Sequence, residues 1–122
     1  MTIAQALDTV DRLTANQVDP GHKVAWLSTL DGTVHQEILA PHGAAGTFPG
    51  YPPGTDMDTV LLVPPPYDVV YRWYLEMLIH DANGEMTRYN NAAEKYNAAL
   101  LAYADYVNRT TPVAQATPLG LV

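Results

Sequence analysis

Residues 85–108, EMTRYNNAAEKYNAALLAYADYVN, decide the fold class. Met86, Ala93, Leu100 and Val107 fall seven apart, and Tyr89, Tyr96 and Tyr103 fall seven apart between them. That is the a/d seam of a helix about three heptads long, with Tyr in each d-type place. Leu or Ile there would make a stronger coiled coil. Tyr fills a wider gap and carries a hydroxyl that wants a partner, so the seam predicts packing against a surface with polar groups.

Working outward, a second helix is expected to open near Pro66-Tyr67-Asp68 and to end near Asn83-Gly84. Its apolar residues Val69, Val70, Trp73, Tyr74, Met77 and Leu78 surround most of the circumference, which predicts burial on more than one side. Further upstream, residues 41–66 hold seven of the ten Pro and four of the eight Gly, with no Lys or Arg. Such a stretch lacks backbone donors and is costly to order, so little regular structure is expected in it. Thr59-Val60-Leu61-Leu62-Val63 is a short β-prone exception, with no obvious partner strand in the chain. A loop this long is expected to be functional or poorly ordered, and able to lend a strand to a neighbouring subunit.

Two helices precede the loop. Asp19-Pro20 is a helix-opening pair, because Asp accepts from the free amides and Pro needs no donor at the first position. Val24, Leu27, Leu30, Val34 and Ile38 continue an apolar stripe, with Asp31-Gly32 as a possible break. The first helix runs from about Thr2 to Leu13, capped by Thr2 and striped by Ile3, Ala6, Leu7, Val10 and Leu13. The fold expected is all-α: four helices in one domain over residues 1–112, a long Pro/Gly-rich loop between the second and third holding at most a short strand or hairpin, and an extended C-terminal arm over residues 113–122.

Composition narrows the function. The 122 residues are 48% hydrophobic and 16% charged, which fits one domain with one modest core. Six Lys+Arg against thirteen Asp+Glu leave a formal charge of −7, a balance that repels phosphate and argues against gripping nucleic acid. Residues 1–66 carry −5 of it and the remainder −2. There is no Cys, which excludes disulfides, zinc-thiolate sites and thiol catalysis. Met1-Thr2-Ile3-Ala4-Gln5 lacks the basic start of a signal peptide, and no apolar stretch is long enough to cross a bilayer, so a cytoplasmic chain is expected. Asn108-Arg109-Thr110 matches the glycosylation sequon, which without export has no use.

No reactive constellation stands out. His22, His35, His42 and His80 lack metal-ligand spacing. His35 and Glu37 would point to different sides of a helix, and His80 beside Asp81 reads as an exposed or half-buried polar pair. Asp56 and Asp58 flank Met57, but no further oxygen ligands follow at cation-loop positions. Ser28 is the only serine and has no flanking glycines, and Gly43-Ala44-Ala45-Gly46 has no Lys-Ser/Thr after it, so neither a nucleophile elbow nor a phosphate loop is present. Asn90, Asn91 and Asn97 read as polar rows facing water or a neighbouring subunit. The expectation is no enzyme, no metal and no cofactor.

The run Leu61-Leu62-Val63-Pro64-Pro65-Pro66-Tyr67-Asp68, followed by Tyr71, Tyr74-Leu75-Glu76, Ala82-Asn83-Gly84-Glu85 and Arg88-Tyr89-Asn90-Asn91, resembles a family of small phage and prophage proteins. Trp26-Leu27, Leu30-Asp31-Gly32 and the ending Tyr103, Tyr106, Asn108-Arg109-Thr110 belong to the same pattern, which covers about residues 2–112. The family is found in the head-morphogenesis region of tailed phages of Gram-positive hosts and looks like the head–tail connectors, or adaptors. The resemblance implies a virion protein made in the host bacterial cytoplasm. It implies a ring of usually twelve copies below the portal, with the portal protein and a tail-side stopper or tail-completion protein as partners. Such a ring encloses DNA without binding it specifically and touches no membrane. The Gly/Pro-rich loop from Ala40 to Pro53 and the tail after Pro112 depart from the pattern.

Candidate subunit or partner contacts are then Tyr103, Tyr106, Asn108 and Arg109 on the last helix, and Leu119, Leu121 and Val122 in the tail. In the loop they are Asp56, Asp58, Val60, Leu61, Leu62 and Val63. The Tyr89/Tyr96/Tyr103 face is expected against the third helix, with Tyr106 and Arg109 toward a partner, and the tail is expected in or along the portal. A competing class is a small acidic helical regulatory module that occupies a host protein as a DNA mimic.

Overall fold

The computed structural model describes residues 1–111. The expected arm over residues 113–122, with Leu119, Leu121 and Val122, lies outside the described residues. The fold is all-α. Helix α1 spans Ile3–Leu13, α2 Pro20–Thr33, α3 Val69–Ala82 and α4 Met86–Thr110.

Local chemistry sets each helix start. The Thr2 hydroxyl accepts from the Gln5 N–H while the Gln5 side chain accepts from the Thr2 N–H, a reciprocal box that satisfies two otherwise free donors of α1. Asp19 caps α2 by accepting from the Gly21 N–H at 2.9 Å, with Pro20 in the first turn. Helix α2 does not break at Asp31-Gly32. It runs on into a π-helical turn over Val34–Leu39, closed by the Ala40 N–H donating to the His35 carbonyl, and a 3₁₀ turn over Ala40–His42. Gly43, with φ 101°, then ends the rod.

The α3–α4 corner is a Schellman motif. The Glu85 N–H donates to His80 O at 2.9 Å and the Gly84 N–H to Asp81 O at 3.1 Å, with Gly84 at φ 72°. So short a link holds the two helices side by side, and α3 also packs against α1 and α2. This makes α3 the central helix: no residue from Val70 to His80 is exposed. Tyr71, Leu75 and Ile79 are fully buried among Ile3, Val10, Leu27, Leu30 and Val34. Each such side chain contributes roughly 1.5–3 kcal/mol of apolar burial.

The Pro/Gly-rich segment is pinned to this core at both ends of its course. Thr2 and Val60 form one antiparallel bridge; the Ile3 and Ala4 N–H groups donate to Thr59 O and Met57 O, and the Leu61 N–H to Met1 O. The partner of the β-prone run is therefore the chain's own N-terminal residues, which corrects the expectation that none was present. Leu61 and Val63 enter the core behind it. Further back, Gly50 at φ 79° passes so close to α2 that a Cβ would meet Ser28 Oγ at 3.0 Å. That approach lets the Tyr51 N–H donate to Ser28 Oγ at 2.9 Å.

Candidate functional site

The expected contact residues divide into two sets. Tyr103 is buried, and its ring lies 5.7 Å from that of Tyr67; Tyr106 is 36% exposed and its ring lies 4.8 Å from that of Tyr67. Tyr96 stacks at a tilt on Tyr74 of α3, with centroids 5.1 Å apart. Tyr96 thus fills the gap to α3 ring against ring, Tyr103 packs on Tyr67 in the turn ahead of α3, and Tyr106 is left at the rim. Burial raises the phenol pKa of Tyr74, Tyr96 and Tyr103 above the ordinary value. Asn108 and Arg109 are exposed, and Asn108 Oδ1 lies 2.8 Å from His42 Nε2, joining the end of α4 to the turn after α2. In the loop, Asp56, Asp58 and Val60 are exposed and Leu62 is half-buried. Leu61 and Val63 are internal, so their side chains serve this chain's core and are not offered to a neighbour.

A buried carboxylate organises this end of the molecule, and it was not singled out by sequence. Asp31 is 0% exposed. Tyr51 donates to Asp31 Oδ2 at 2.5 Å, Tyr71 to Oδ1 at 2.6 Å, and the Leu62 N–H to Oδ2 at 3.1 Å. The Tyr71 oxygen also accepts from the Val63 N–H at 2.7 Å. Burial outweighs these donors and holds the Asp31 pKa above the ordinary carboxylate value. Burial and the Asp31 charge push the Tyr51 and Tyr71 phenols far up, so both stay protonated donors. A signal was present, since Asp31 lies four residues after Leu27 and three before Val34, on the core-facing stripe of α2.

A second polar cluster lies beyond α1's other end. The cleft there, of about 430 Å³, is lined by Leu13, Trp73, His80, Arg88, Asn91 and Lys95 among others. His80 is buried, with Nδ1 3.1 Å from Glu85 Oε1 and Nε2 3.9 Å from Glu76 Oε1. It therefore pairs with these two carboxylates and not with Asp81, which is exposed. The hydrogen bond from His80 is the main cause of Glu85's lowered pKa. Glu76 also accepts from Arg72 at 2.6 Å, and Arg88 lies 3.2 Å from Glu85. The Trp73 ring carries Arg72 at 4.1 Å and Lys95 at 4.5 Å from its centroid. Lys95 has no carboxylate within ion-pair distance among the described residues.

Among the described residues no group of three or more His, Cys, Asp or Glu side chains is disposed to hold a metal ion, and no helix is long and apolar enough to cross a membrane. The arrangement offers rims and clefts of mixed aromatic and charged character. No family model, no curated protein and no solved structure matches this chain.

Proposed function

We propose that this chain is a structural subunit of a phage virion, a head–tail connector that forms a ring below the portal and joins the DNA-filled head to the tail. The observation that carries the reading is the rim at the end of α4, where Tyr106 stands half out of the Tyr67–Tyr103 stack beside exposed Asn108 and Arg109. An amphipathic aromatic at such a rim is buried favourably against a protein neighbour. The net charge of −7 supports a subunit that surrounds DNA without adhering to it. In this reading the loop from Asp56 to Val60 meets neighbouring subunits, and residues 113–122 contact the portal.

Purified chain mixed with portal rings tests the reading. Co-migration with the portal, and an added ring of density beneath it in electron micrographs, are expected. Tyr106→Ala is expected to weaken this joining by about tenfold or more, as for an interface aromatic, and deletion of residues 113–122 to weaken it as well. A chain that ignores portal rings but captures a host DNA-binding protein would replace the connector reading with the DNA-mimic one.

A further inference from the structure

We propose that Asn83-Gly84 is a site of spontaneous deamidation, held inert by the closed α3–α4 corner and released, irreversibly, when that corner opens. The proposal concerns the free chain and does not rest on the connector reading. Of the eight glycines, only Gly32 and Gly84 follow an Asp or Asn. In such pairs an unhindered backbone nitrogen can attack the side-chain carbonyl of the residue before it. The structure gives the two pairs different fates. Asp31-Gly32 lies inside α2, its carboxylate fully buried and occupied by Tyr51, Tyr71 and Leu62. Asn83 and Gly84 are exposed, at a corner closed by a few surface hydrogen bonds.

In the reaction the Gly84 nitrogen gives up its proton and bonds to Asn83 Cγ. The Cγ–Nδ2 bond breaks, ammonia leaves carrying that proton, and a cyclic imide is formed. Water then adds to either imide carbonyl and opens the ring. The product is aspartate at position 83, or its isomer in which the main chain runs through Cγ. The closed corner blocks the first step. Asn83 sits at φ −85° and ψ −5°, and ring closure needs a rotation about ψ out of that α well. The rotation breaks both corner bonds, Gly84 N–H to Asp81 O at 3.1 Å and Glu85 N–H to His80 O at 2.9 Å. Asn83 Nδ2 is held as well, donating to Ala15 O at 3.4 Å. Bonds at the surface open locally while the core stays closed. After conversion the corner cannot close as before. The isomer adds a carbon to the main chain inside the turn, and either product loses the amide donor to Ala15. Both also place a carboxylate at the C-terminal end of α3, beside Asp81 and Glu85, where the helix dipole disfavours it.

Peptide mass spectrometry of the full chain, aged at mildly alkaline pH with and without urea, tests this. Conversion at Asn83 is expected to be at least about tenfold slower in the folded chain than in urea. Within the folded chain it is expected ahead of any change at Asp31, Asn90, Asn91 or Asn97. Glu85→Ala removes the corner's side-chain contact to His80. It is expected to speed the folded rate several-fold and to leave the urea rate unchanged. Tyr51→Phe, which weakens the fold far from the corner, is expected to leave the folded rate unchanged. Asn83→Gln keeps the amide but must close a larger ring, and is expected to abolish conversion. Circular dichroism checks that each variant is folded before ageing. Equal rates in the folded chain and in urea would overturn the proposal. So would an acceleration by Tyr51→Phe that matches Glu85→Ala, because the route would then be global unfolding. Converted chain, separated by its added charge, is expected to melt below unconverted chain; coincident melts would overturn the irreversible release.

Discussion

Asp31 shows how one residue can hold a loop and two helices in register. Its carboxylate takes hydrogen bonds from Tyr51 and Leu62 of the loop and from Tyr71 of α3, while its backbone belongs to α2. Asp31→Ala leaves two buried phenol donors and the part-buried Leu62 N–H without this acceptor, and each unsatisfied donor costs roughly 1–3 kcal/mol. The expected loss is at least about 3 kcal/mol by urea unfolding, against about 1 kcal/mol for Tyr51→Phe, which removes one donor and leaves the carboxylate its others. The pH dependence has a defined sign. Because the folded pKa of Asp31 lies above its ordinary 3.8, its stabilising contribution is complete below that value and is lost as pH rises through the folded one. Asp11, whose burial is outweighed by hydrogen bonds from Lys23 and Asn16, and Glu85, held low by His80, run the other way and lose their contribution as pH falls. Asp31→Asn removes only the first effect. Wild type should therefore gain on that variant, in urea midpoint, as pH is lowered from neutral to about 4.

At the scale of elements, the α3–α4 hairpin is the firmest unit, and its corner depends on backbone geometry. Gly84 sits at φ 72°, where a Cβ is strained even though nothing lies within 4 Å of it. Gly84→Ala should cost about 1 kcal/mol, read as a lower melting temperature without loss of helix signal. The seam of α4 was legible because Met86, Ala93, Leu100 and Val107 repeat at seven. The helix uses that seam unevenly: Tyr103 and Val107 are buried, whereas Met86, in the first turn of α4 at the corner with α3, is exposed. Helix starts were equally legible, since Thr2 and Asp19 act on amides two or three residues away. The continuation of α2 past Gly32 was legible in the stripe through Val34 and Ile38, but it stood against a possible break at Asp31-Gly32. Asp31 has the composition of a helix breaker, and its side chain is prevented from competing for nearby backbone only by donors that arrive from 20, 31 and 40 residues away.

Over the whole molecule, acids predominate, with thirteen Asp and Glu against six Lys and Arg. Exposed charges a few ångströms apart are screened as the Debye length shrinks. Raising the salt from roughly 0.05 M to 0.5 M should therefore relieve the self-repulsion of a chain of net charge −7, read as a modest rise in melting temperature. The candidate contacts were only partly readable from sequence. Thr59 to Val63 alternates as any strand would, and nothing local says which of Val60, Leu61 and Val63 faces water; the bridge to Thr2 turns Val60 out and Leu61 inward. By itself the sequence determined the helices and their starts, because periodicity and capping act over a few residues. Only the tertiary structure decided where the loop lies, that Asp31 is its anchor, and that His80 pairs with Glu85 and Glu76. Those outcomes depend on contacts between segments far apart in the chain, whose geometry exists only once the core has closed.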